Sequence, residues 1–393
     1  MVKSLQIFLI VVALNCNSFS QIVTKSMLRL PDTGQTNSYT NTFGEDNDYN
    51  FNAPYFIVNG NGTVTDTITG LMWQQADGGE MTIQSAINYC NNLSLGGHSD
   101  WRLPNAHEGF SILNEQNTNP ALNSSVFTTT LAEYWWTSTR QANDTNKVWA
   151  TNAGGGIGNH PKTETISAGG LKKFHVRAVR DAQVPLTIPQ HFTNNNDGTI
   201  TDNLTNLTWQ QLPYNDTLSW ENALYLADTF SLAQYADWRL PNIKELHSLN
   251  NESLINPSVS TTFFPNIGIK KYWSSTSLIN PQPKAWFFDT HFGITTYANK
   301  TTRLNVLLVR GNGNIATSIQ SNENVLPIEV FPNPFSSHIN IKGIKQSQAV
   351  TMYNSLGLII YEGNNISEND FSKLTSGIYF IRLTNKCVKL VKE

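Results

Sequence analysis

Short runs that alternate apolar and polar residues, broken by Gly, Asn and Pro, fill most of the chain, and a few stretches switch to helical spacing. "TVTD" at 63–66 and "TITD" at 199–202 read as strands. A turn follows at Thr69-Gly70 or Thr205-Asn206, and then a second alternating strand carrying Leu71 and Trp73 or Leu207 and Trp209, so each pair predicts a hairpin. Ile83, Ala86, Ile87 and Cys90 recur at helical spacing, as do Trp220, Ala223, Leu224 and Ala227. Thr82 and Ser219 stand where N-caps belong. The hexapeptide DWRLPN, present at 100–105 and again at 237–242, predicts a second helix. Pro104 and Pro241 force the residue before them into an extended conformation, and Asn105 with Glu108, like Asn242 with Glu245, forms a capping-box pattern. The later stretches, ending in "FHVRAVRD" and "NVLLVRG", read as short strands between long loops. The class is therefore α+β with a small irregular sheet.

The chain also aligns on itself. Trp73 matches Trp209 and, past a one-residue insertion, Trp101 matches Trp238, Phe127 matches Phe264, "YWWTST" matches "KYWSST", and Trp149 matches Trp286. All ten Trp fall in these two units. The period is too long for a solenoid repeat, so this is a tandem duplication in which each copy is expected to own a core. Residues 312–325 are polar and patternless, a linker by composition. From 326 to 393 alternation resumes between Pro, Asn-Ser and Ser-Gly breaks, predicting a small antiparallel β-sandwich.

Composition narrows the setting. The 393 residues carry a net charge of −3 and only 14% charged residues, which gives no basic field for nucleic acid. Residues 1–20 place Lys3 before an apolar run and Ser18 and Ser20 before Gln21, the pattern of a secretory signal peptide. Asn15 before Cys16 argues against a lipidated cysteine. The mature chain has no apolar run long enough for a transmembrane segment. It keeps only Cys90 and Cys387, too few for a disulfide framework.

The candidate chemistry is sparse. Asp100 and Arg102 alternate along an extended stretch, so they are expected to share a face and pair, with Trp101 turned to the core; Asp237, Trp238 and Arg239 repeat the pattern. DWRLPN is thus chiefly a folding device. Its functional alternative is that Arg102 and Arg239 reach an acidic sugar, for which a planar guanidinium is matched. Trp136 with Ser138 and Trp273 with Ser275 set an aromatic face beside a hydroxyl, a sugar-stacking arrangement where exposed and a core anchor where buried. Asp46, Asp48, Asp66, Asp197 and Asp202 make calcium the one candidate ion, without the spacing of an EF-hand loop. No HExxH, GxSxG or phosphate-loop motif occurs, and none of the eight His recurs at its partner position. Carboxylates do recur: Asp66 with Asp202, Asp100 with Asp237, Glu108 with Glu245. A polysaccharide-active hydrolase is therefore the alternative to a non-enzymatic binding protein, and a structural envelope protein that binds protein neighbours is the third reading.

Two resemblances sharpen these expectations. "VFPNPF", "LGLIIYE" and "LTSGIYFIRL" in the tail resemble the C-terminal sorting domain of type IX secretion. That implies engagement of the secretion machinery through residues 326–393 and a secreted or outer-surface location. "DTGQT" at 32–36, "GEDNDY" at 44–49, "GTVTDTITGLMWQQ", "DWRLPN", "NPAL" and "WWTST" resemble the Lcl C-terminal domain of collagen-like bacterial adhesins. One repeat spans 21–182 and the other 183–311; the second has no "DTGQT", and no Gly-X-Y stalk is present. The resemblance implies two tandem C-type-lectin-like domains, each a small twisted sheet with one or two helices and long loops. It also implies a polyanionic or glycan ligand, or another extracellular surface polymer, as partner, without established catalysis; no cofactor besides calcium is expected. Two tethered weak sites would add avidity.

Overall fold

The two hairpins form as their alternation requires. Thr63–Asp66 pairs antiparallel with Leu71–Gln74, and Thr199–Asp202 with Leu207–Gln210. Both turns close the same way: the Asp66 carboxylate accepts the Ile68 and Thr69 amides, and Asp202 accepts those of Leu204 and Thr205. Gly70 and Asn206 then take the left-handed conformation, which Gly and Asn tolerate best. The structure, a computed structural model, describes residues 22–128, 133–162, 174–281, 283–311, 329–342, 350–354, 358–383 and 386–393. The signal peptide expected at 1–20 and the linker expected at 312–325 lie outside the described residues.

In the first copy the hairpin joins Phe56–Val58 on one side and Val179–Asp181 on the other; in the second it joins Phe192–Asn194 and Val309–Arg310. Helix α1 (Ile83–Asn91) is capped by the Thr82 side chain on the Ser85 amide, and α2 (Ala106–Ser111) starts at Asn105. Their counterparts are α3 (Trp220–Thr229) and α4 (Ile243–Ser248). Ser219 occupies the N-cap position of α3 without a side-chain hydrogen bond, a difference from the expected cap. Each copy then builds a second sheet from its Trp-rich stretches, where one sheet was expected. In the first copy the order is Ile157–Pro161, Asp144–Asn152, Tyr134–Gln141 and Phe174–His175. In the second it is Lys271–Ser277, Lys284–Asp289 and Ile294–Asn299. The fold is α+β and mostly sheet.

The expectation of two separate cores is corrected. Each copy has a private cluster, around Trp101 and Trp136 in the first and around Trp220, Trp238 and Trp273 in the second. A third cluster runs across both, joining Trp73, Phe110 and Trp149 to Trp209, Leu246 and Phe288. The cause is length: α2 and α4 have six residues each, too few to cover a sheet alone, so each completes its burial against the other. All six residues of α4 are buried. Phe110 meets the His247 ring at 4.8 Å, and the His107 and His247 rings lie 4.9 Å apart. All ten Trp are buried, at about 1.5–3 kcal/mol or more of hydrophobic stabilisation each.

The tail is a unit of its own. Its four-stranded antiparallel sheet runs Ile359–Gly363, Val350–Asn354, Gly377–Leu383, Lys386–Lys392, and Glu329–Phe331 pairs separately with Asn340–Lys342. Phe335, Ile339, Met352, Tyr379, Ile381 and Leu390 fill the space between them. Among the described residues no helix is long and apolar enough to cross a membrane.

Candidate functional site

DWRLPN is a staple between the second helix and the last strand of each copy. Asn105 accepts the Glu108 amide at 2.9 Å, and the Glu108 carboxylate accepts the Asn105 amide at 2.9 Å, so the capping box is complete. The same carboxylate takes both arms of the Arg102 guanidinium, at 2.7 and 2.8 Å, and Arg102 also donates to Asp181 at 2.8 Å. Its backbone exchanges hydrogen bonds with Val179. In the second copy Arg239 grips Glu245 at 2.6 Å through both arms, Asn242 and Glu245 close the second capping box, and the Gly311 carbonyl replaces Asp181.

The expected pairing of Asp100 with Arg102 is corrected. Asp100 binds Arg180, and Asp237 binds Arg310, each through both carboxylate oxygens at 2.7 and 3.0 Å. These guanidiniums hold both carboxylates below the usual range. Side chains two apart on a strand share a face, but here each finds a better-aligned partner on the neighbouring strand. Trp101 and Trp238 do turn inward, donating to the carbonyls of Leu95 and Leu232.

The remaining candidates separate. Trp136 and Trp273 are fully buried, their indole N–H groups held by the carbonyls of Met81 and Leu218, so neither offers a face to a sugar. Ser138 is exposed while Ser275 is buried. The five calcium candidates are not brought together: Asp66 and Asp202 hold hairpin turns, Asp197 holds the Thr199 amide and hydroxyl, and Asp48 accepts the Gly44 amide. Asp46 is buried and accepts the hydroxyls of Thr33 and Thr276; burial pushes its pKa well above the ordinary value.

Thr276 belongs to the second copy, and this contact is one of many. The stretch 32–48, read with the first repeat, hydrogen-bonds to the second. Gln35 pairs its amide with the Ser277 backbone, Glu45 accepts the Ser277 hydroxyl, and Thr40 donates to Glu221. Asp32 receives Asn242 on its carboxylate and Lys244 on its carbonyl. Ser275, next to these contacts in the chain, is buried. Around Lys244 the acids are desolvated: burial raises Asp32 to about 6 and Glu115 to about 8, and lowers the Lys244 ammonium to about 8.

The arm and the second DWRLPN together wall an open cleft of about 440 Å³. Phe43, Tyr49 and Phe51 supply successive rings, with centroids 5.8 and 5.9 Å apart. The Arg239 guanidinium lies 5.4 Å from Tyr49 and 5.2 Å from Phe51, and Asp228 and Asp237 also line the cleft. Phe43 is 55% exposed. None of the three rings was singled out from sequence, although they flank the acidic EDND run in an otherwise polar stretch.

Residues 62–180 and 198–310 match the Lcl C-terminal domain. The chain belongs to the Lcl C-terminal domain family. Residues 329–393 match the secretion system C-terminal sorting domain, which directs the chain to type IX secretion and the outer surface. No curated protein matches. Among solved structures, similarity is found to PorZ, described as an essential bacterial surface component of the type-IX secretion system of human oral-microbiomic Porphyromonas gingivalis. It is 13% identical, with a TM-score of 0.16, over 65% of this chain and 30% of that one. At that score the likeness carries no argument, and the chain spans under a third of PorZ.

Proposed function

We propose that the protein is a secreted or surface-attached binding protein with lectin-like modules, and that the aromatic cleft of the second copy takes a segment of an extracellular glycan or related surface polymer. The observation that carries this reading is the row of Phe43, Tyr49 and Phe51 in one cleft with the exposed Asp228 carboxylate. Ring faces stack on the apolar faces of sugars, and carboxylates accept hydroxyl donors. The arm that supplies the rings occurs once, so the cleft is a single site and binding rests on one module.

Binding is favoured over cleavage because the recurring carboxylates are already engaged. Asp66 and Asp202 hold turns, Asp100 and Asp237 hold arginines, and Glu108 and Glu245 hold helix caps. The test is a glycan array probed with the mature chain, with and without calcium, beside Phe43→Ala and Asp228→Asn, both at exposed positions. Binding that both variants lose without unfolding supports the cleft. Binding that both retain removes it, and a shortened glycan recovered from the incubation favours the hydrolase instead.

A further inference from the structure

A second cavity, of about 180 Å³, lies between the copies. Lys25, Asn105, His107 and His191 line it with polar groups, and Met27 and Leu30 with apolar ones. Lys25 is 5% exposed, and its ammonium has no hydrogen bond or ion pair among the described residues. Burial lowers the Lys25 pKa, and the nearby Asp202 carboxylate acts in the opposite direction. The nearby acids are committed elsewhere: Asp202 to the Leu204 and Thr205 amides and the Thr205 hydroxyl, and Glu252 to His107 at 2.7 Å.

The duplication shows what the cavity is shaped for. Asn105, His107 and Ser248 line it, and their counterparts are Asn242, Lys244 and Ser111. In the second copy those counterparts surround Asp32: Asn242 approaches its carboxylate at 3.5 Å, and Lys244 bridges the carbonyls of Asp32 and Ser111 at 2.9 and 2.7 Å. One copy thus has a carboxylate where the other has a cavity and an added lysine.

We propose that this cavity is a binding site for a small monocarboxylate, seated between Lys25 and the Asn105 side chain, with its apolar body against Met27 and Leu30. The volume is close to that of a cavity that accepts benzene, so the ligand has few carbons. The carboxylate comes from a free acid or from an aspartate side chain of a peptide.

The experiment is calorimetric titration of the mature full-length chain with butyrate, with butyramide, and with N-acetyl-aspartate N-methylamide, repeated on Lys25→Met. Binding by at least one acid is expected, with butyramide weaker by about tenfold or more, the worth of one charge-assisted hydrogen bond. Lys25→Met should lose a similar factor while keeping its unfolding midpoint. Butyrate alone binding identifies a free acid, and the aspartate derivative alone identifies a peptide side chain. No heat from either acid at tens of millimolar, or equal binding of butyrate and butyramide, overturns the proposal. If Lys25→Met does not fold, the comparison of acid with amide on the natural protein decides. Phe43→Ala should leave this binding unchanged, because the cavity shares no residue with the aromatic cleft.

Discussion

Replacing Arg239 with Met tests whether the staple holds the second copy together. Arg239 and Glu245 are 4% and 8% exposed at their side chains, joined by two bonds of 2.6 Å. Met keeps the apolar stem and keeps water out, so Glu245 is left charged in a dry site; breaking such a pair costs about 3–5 kcal/mol. The matching Arg102→Met in the first copy should cost less, about 1–2 kcal/mol. Arg102 is 36% exposed, so water reaches the vacated space and solvates Glu108. Urea unfolding followed by Trp fluorescence measures both, because every Trp lies in the repeats and the tail is silent. The double variant Arg239→Met with Glu245→Met should be no less stable than Arg239→Met alone, since the second change removes the stranded charge. If Arg239→Met costs under about 1 kcal/mol, or no more than Arg102→Met, the staple does not carry the load that a buried pair implies.

Glu115 supplies a pH dependence: burial raises it from 4.5 to about 8, so the folded state keeps the proton. Its contribution is fully present below pH 4.5 and is lost as pH rises through about 8; urea midpoints across that window should fall in the natural protein and fall less in Glu115→Gln. Gly293→Ala should be more destabilising than Gly60→Ala by thermal unfolding. Both have positive φ, but a Cβ at 293 would meet the Asn250 Oδ1 at 1.8 Å, whereas at 60 it meets nothing within 4 Å; equal midpoints would refute the clash. Deleting residues 22–52 should strip hydrogen-exchange protection from Lys271–Ser277 and α4 more than from Tyr134–Gln141. Equal loss in both strands would show that the arm serves both copies alike.

What the sequence could show depends on how far each interaction reaches along the chain. The hairpins, the first helices and both capping boxes rest on contacts a few residues apart, and their patterns repeat in two copies, so alignment of the chain on itself exposes them twice. The guanidinium partners were harder to place. Arg102 stood six residues from Glu108, but Asp100 was nearer and shared its face, and only the strand carrying Arg180, eighty residues on, draws Asp100 away. The Trp motifs illustrate the same limit: a Trp beside hydroxyls reads alike in a core or on a surface, and burial alone separates them.

The arm is the element that sequence comparison assigned by position and tertiary structure assigns by contact. "DTGQT" precedes the first repeat and is missing before the second, which suggests a shortened second copy. Yet Gln35, Glu45 and Asp46 satisfy Ser277 and Thr276, so the segment completes the copy that lacks its own. This arrangement makes the copies unequal in a way their alignment hides. The second copy gains three aromatic rings and a buried carboxylate from the arm, while the first keeps Ser138 exposed and an open cavity beside Asn105. Two copies of one module therefore present two different surfaces, and much of the difference comes from residues 32–51, which precede both matched segments.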